Sequence, residues 1–179
     1  MSHSCHSKVV IGVELGLESK IQEKSFQRFD PKTGKPIEHI GRVLDVVLTC
    51  GNVNIQLLED EVTFEESNHR WEHGYFNDRL NSKIYDFMNN FGIDSDDYEG
   101  LFYHVNSLNN LHPLDQKNQK NSVILGIVVA EGSSNRPVVE IPNYLDLLKT
   151  YKQQFMDETL DVQDKFQHEL FDIKLFLLT

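Results

Sequence analysis

Two histidines and a glutamate stand close together in mid-chain, in the run His69-Arg70-Trp71-Glu72-His73. On a helix, residues four apart share a face. His69 and His73 could therefore ligate one zinc ion while Glu72, lying beside them, deprotonated a bound water. Such a site would make the chain a small zinc-dependent hydrolase, with Glu72 catalytic and His69 and His73 as metal ligands. Gly74 follows at once and shortens any helix there. The competing reading is a solvated or packed loop that carries Trp71.

The H-x-x-E-H order of these five residues resembles the zinc motif of the inverzincin metallopeptidases. The resemblance implies a third ligand, a glutamate far downstream. Glu140 and Glu158 both stand there, and nothing in the spacing selects either. Members of that family are also much larger than this chain of 179 residues.

Other reactive residues carry weaker patterns. His3-Ser4-Cys5-His6 has the chemistry of a soft-metal site but lies at a terminus expected to fray. The run from Asp94 to Gly100 departs from a calcium loop, with Glu99 at the position that needs glycine and Val105 where the loop ends on glutamate. Its carboxylates suit a helix N-terminus instead. Gly12-x-x-x-Gly16 is followed by no Gly-Lys-Ser/Thr, so it is not a phosphate loop. Cys50 follows Val46-Val47-Leu48 and reads as a buried small hydrophobe. The expectation is a chain without a cofactor, zinc being the alternative.

The formal charge is −11, and it is unevenly spread. Residues 1–58 hold seven Lys/Arg against six Asp/Glu, residues 59–99 three against twelve, and residues 140–172 three against eight. A general nucleic-acid binder needs a basic footprint to release counterions, so direct nucleic-acid binding is not expected. A basic protein partner fits better. Glu59, Asp60, Glu61, Glu65 and Glu66 fall within one acidic segment and are the candidate partner-binding residues. With only two cysteines, no apolar run long enough to span a bilayer and no leader pattern in Met1 to Ser7, the expectation is a cytoplasmic protein that does not enter membranes. The single alanine, Ala130, beside many asparagines suggests AT-rich coding, as in many phage and viral accessory proteins.

The elements that would position these residues follow from periodicity. Residues 8–18 alternate as a strand after a flexible tail of residues 1–7. Asp30-Pro31-Lys32-Thr33-Gly34 has hairpin-turn chemistry between Lys24–Phe29 and Lys35–Glu38, and Pro36 places the returning strand at an edge. Residues 40–50 and 52–64 read as two more strands around Gly51-Asn52. Leu80, Ile84, Phe87, Met88 and Phe91 fall at helical spacing before Gly92. A second helix is expected from Asp94 or Ser95 to His112-Pro113, with Leu101, Phe102, Val105 and Leu108 on its apolar face. Residues 122–131 read as a central strand buried on both faces, and residues 137–141 as a short strand. A helix opens at Pro142, while residues 171–177 fit strand or helix. The fold expected is α+β: a mostly antiparallel sheet with about three helices packed on it, one domain over residues 8–179. The function expected is a non-enzymatic acidic interaction protein, an inhibitor or nucleic-acid mimic being its sharper form. The alternative is the zinc hydrolase of His69, Glu72 and His73.

Overall fold

The computed structural model describes residues 6–62, 73–95, 100–106, 121–133, 143–167 and 172–178. Its longest element is strand β1, His6–Phe29, which spans 24 residues and joins two segments expected to be separate. The polar run between them, Ser19 to Glu23, interrupts the apolar pattern but not the strand, because β2 pairs with every residue of it. On the core side the strand presents Ile11, Val13, Leu15 and Leu17, all buried, and then grades into Ser19, Ile21, Glu23, Ser25 and Gln27.

The turn after β1 is held by its own side chains. Asp30 Oδ1 accepts from the Lys32 amide and Asp30 Oδ2 from the Thr33 hydroxyl, both at 2.8 Å, while Gly34 takes φ 65°. Strand β2, Pro36–Cys50, returns antiparallel, and β3, Val53–Val62, follows a turn at Gly51. Pro36 is tolerated because among the described residues β3 pairs with β2 only as far as Arg42, which leaves the start of β2 at a local edge.

Strand β4 is Leu101–Asn106, β5 is Ser122–Ser133 and β6 is Lys174–Leu178. The sheet order is β3-β2-β1-β5-β4, with antiparallel pairing throughout. β6 pairs with Lys8–Gly12 of β1 on the edge that β2 occupies further along, since β5 fills the other edge there. The last segment is therefore strand. Gly12 and Gly126 face each other in the β1–β5 pair. A Cβ on Gly12 would run into the Leu125 carbonyl, and one on Gly126 into Val10 and the Ile11 carbonyl. The glycines allow the backbones to approach where the sheet bends.

Among the described residues three helices accompany the sheet: α1, His73–Asn89; α2, Tyr144–Glu158; and α3, Leu160–Lys165. α1 ends in a Schellman motif, with the Ile93 amide on the Met88 carbonyl at 3.1 Å, the Gly92 amide on the Asn89 carbonyl at 3.0 Å, and Gly92 at φ 68°. Leu80, Ile84 and Met88 of α1, with Phe155, Val162 and Phe166 of the α2–α3 region, enter one core with Leu15, Leu48, Leu58 and Leu125 of the sheet.

Two expectations are corrected. The molecule is not an α+β sheet with helices packed across it; it is mostly a curled antiparallel sheet, half a barrel, with three short helices among the described residues. The helix expected from Asp94 onward is replaced over Leu101–Asn106 by β4. Leu101, Phe102 and Val105 have a helix-like spacing, but Phe102 and the adjacent Tyr103 are both buried, on opposite faces of a strand. Burial on both faces removes the period-two signal on which a strand assignment depends. β5 shows the same burial over residues 121–127.

Candidate interaction surface

Alternation along β1 sends Lys20, Gln22, Lys24, Phe26 and Arg28 to the face away from the core. The register of β2 and β3 brings Asp45, Glu59 and Glu61 to that same face. The result is a cross-strand ladder. Lys24 Nζ lies 2.6 Å from Glu59 Oε2, and Arg28 Nη2 lies 2.6 Å from Glu61 Oε2. His39 Nε2 stands 3.1 Å from the other Glu61 oxygen. Asp45, buried mid-ladder, accepts from Gln56 Nε2 at 2.8 Å and has Lys20 Nζ at 3.9 Å. On the core side Arg79 of α1 reaches Asp60 of β3 at 2.8 Å. Exposed ion pairs add little individually to stability. Placed across strands, they fix the register of the ribbon.

The electrostatics follow the contacts. The hydrogen bond from Lys24, then that from Gln56, holds the Glu59 carboxyl below its usual pKa. Desolvation pushes Glu61 up, but hydrogen bonds from His39 and Arg28 outweigh it and the net shift is downward. Asp30 is lowered by the Lys32 amide and then the Thr33 hydroxyl.

Among the described residues the ribbon runs on past its neighbours. There β5 pairs with β1 as far as Gly16–Ser122, followed by one bond from the Leu17 amide to the Asn121 carbonyl, and β3 is described as far as the Arg42–Val62 pair. Beyond these points Lys24–Phe29 and Pro36–Gly41 continue as a two-stranded arm roughly 20 Å long before the turn, at about 3.4 Å per residue. Phe26 and Glu61 both lie over Gly41, where an added Cβ would meet Phe26 Cε2 at 3.3 Å. Phe29 at the tip and Ile40 at the base of the arm are exposed to 69% and 68%, so they contribute little to the core and leave apolar surface in water. Lys32 and Lys35 in the turn have no ion pair among the described residues.

A second charged region lies at the other end of the chain. At the junction of α2 and α3, Asp157, Glu158 and Asp161 are exposed within five residues and flank Leu160, itself 56% exposed. Asp157 accepts from Gln153 at 2.9 Å and Glu158 from Gln154 at 2.7 Å, both neutral donors. None of the three carboxylates has a cationic partner among the described residues.

Of the residues expected to bind a partner, Glu59, Asp60 and Glu61 are therefore held by the chain's own cations, and Glu65 and Glu66 lie outside the described residues. His69 and Glu72 lie outside them too, and His73 opens α1. Glu140, His3 and Cys5 are likewise outside, and Glu158 stands in the α2–α3 junction. Among the described residues no group of three or more His, Cys, Asp or Glu side chains is placed to hold a metal ion. No helix among them is long and apolar enough to cross a membrane. Cys50 is half-buried and packs against the core. Sequence reading missed Lys24, Arg28, His39 and Arg79 as the partners of the acidic run. The signal available was the recurrence of cations at Lys20, Lys24 and Arg28, one face of a strand. Compared with protein-family models, curated proteins and solved structures, the chain has no significant match.

Proposed function

We propose that the protein is a non-enzymatic interaction protein whose acidic surface binds a basic protein partner. The observation that carries the reading is the contrast between two sets of carboxylates. Those of β3 are neutralised within the fold, whereas Asp157, Glu158 and Asp161 face solvent without a cation. Uncompensated charge around an exposed leucine offers both long-range attraction and a short-range apolar contact. The partner surface proposed is thus the α2–α3 junction, and the β3 carboxylates serve as staples. The test is affinity capture of basic proteins from the native host by the intact chain and by a chain carrying Asp157→Lys and Asp161→Lys. A basic protein retained by the first and lost from the second is the expected outcome. Capture that is indifferent to these substitutions and to ionic strength defeats the reading.

A further inference from the structure

Resting on that reading, we infer that the basic partner of the α2–α3 junction is the β1–β2 arm of a second copy of this chain. The arm tip, residues 28–35, holds Arg28, Lys32 and Lys35 against Asp30 alone, on a chain whose total charge is −11. Asp30 is committed to the turn, where Lys32 and Thr33 donate to both of its oxygens. Arg28 is paired with Glu61, which leaves Lys32 and Lys35 as the cations offered outward. Beside them stand the exposed Phe29 and Ile37, on opposite faces of the ribbon. The junction has the matching composition, with exposed Leu160 between Asp157, Glu158 and Asp161. Both halves of one interface, apolar centre and complementary charge, are thus present on a single chain.

No ion pair joins the two within one molecule among the described residues. α2 packs on β1 and β5 in the body of the sheet, and β5 leaves β1 at Gly16. From Gly16 to Phe29 an extended strand advances roughly 40 Å, so the tip is carried away from its own helices. A tip that engages a different patch on its neighbour makes a heterologous contact, which propagates head to tail into a ring or filament.

The experiment uses sedimentation of the full chain and three variants at matched concentration. Tip reversal by Lys32→Glu with Lys35→Glu, or junction reversal by Asp157→Lys with Asp161→Lys, should each weaken self-association on the order of tenfold or more, because like charges then face each other. The chain carrying all four substitutions keeps the net charge of the original and restores opposite charges across the contact, so its self-association should return. Circular dichroism of each variant verifies the fold, since all four positions are exposed. A chain that stays monomeric throughout overturns the inference, as does self-association that the fourfold variant fails to recover. A monomer whose tip shifts duplex DNA or RNA in a gel assigns the arm to nucleic acid and overturns it as well. A monomer that still loses a basic host protein on junction reversal overturns the self-association while leaving the acidic surface as a binding site. Loss of both overturns the two readings together.

Discussion

The two halves of β1 obey one local rule and meet opposite surroundings. From His6 to Gly16 the strand has β5 along one edge, β6 along part of the other, and a buried apolar row beneath it. From Lys24 to Phe29 it has β2 alone among the described residues, its upper row is ionic, and its last aromatic lies in water. Backbone hydrogen bonding to β2 is regular in the second half, so pairing alone does not distinguish them. The first half is held by removal of apolar area from water, the second by turn chemistry and side-chain registry. An isolated two-stranded hairpin is marginally stable in water. The arm therefore depends on its Asp30 turn, its Glu59 and Glu61 staples and the Phe26–Gly41 cover.

The largest contrast comes from placing a charge in each half. Leu125→Asp, at a site 0% exposed opposite Val13, should cost several kcal/mol in order of magnitude and abolish cooperative unfolding. Phe29→Asp should leave the thermal transition in place. A soluble Leu125→Asp protein with a native circular dichroism spectrum would show that the first half is not what holds the fold. Next in size is the bend. Gly126→Val forces a side chain into Val10 and the Ile11 carbonyl, and should lower the melting temperature far more than Gly41→Ala, where the neighbours are movable side-chain ends.

Smaller effects sharpen the arm itself. Ile40→Ser should change global stability by less than about 0.5 kcal/mol, as for surface substitutions away from special features. Glu61→Gln should leave the global transition unchanged but accelerate amide hydrogen exchange over Lys24–Phe29 and Pro36–Gly41, because the negative charge is lost and a single amide oxygen replaces the two that accept from Arg28 and His39. Equal protection in both proteins would show that Glu61 does not hold the ribbon. The smallest effect is in pH. Glu59 and Glu61 have folded pKa values below the ordinary 4.5 of a glutamate, and Asp30 below the ordinary 3.8 of an aspartate. Their stabilisation is fully present above those ordinary values and is lost as pH falls through the lower folded values. Arm amides should therefore lose protection at a higher pH than the amides of β5.

The parts legible in the sequence are those whose cause is local. Asp30 to Gly34 declares a turn because its side chains close their own hydrogen bonds, and Gly92 declares a helix end because only a positive φ completes the Schellman pair. The strands at residues 40–50 and 122–131 show in their β-branched composition. β4 was illegible because Phe102 and Tyr103 are both buried, which erases alternation and leaves a spacing that mimics a helix. The close approach of β1 and β5 was illegible because it depends on Gly12 and Gly126 meeting across strands more than a hundred residues apart. The acidic run was visible as composition. Its neutralisation was not, since register decides whether Lys24 and Arg28 face Glu59 and Glu61.

Because β1 is one uninterrupted strand, the arm is mechanically continuous with the core. Tension applied at the tip along the ribbon runs down the strand axis into the β5 and β6 pairs, which bear it as shear, all rungs together. Tension applied across the ribbon, between Phe29 and Pro36, opens the β1–β2 pairs one at a time from the turn. The same hairpin is thus a stiff handle in one direction and a zipper in the other, and a chain linked through its tip would resist a longitudinal pull while peeling under a lateral one.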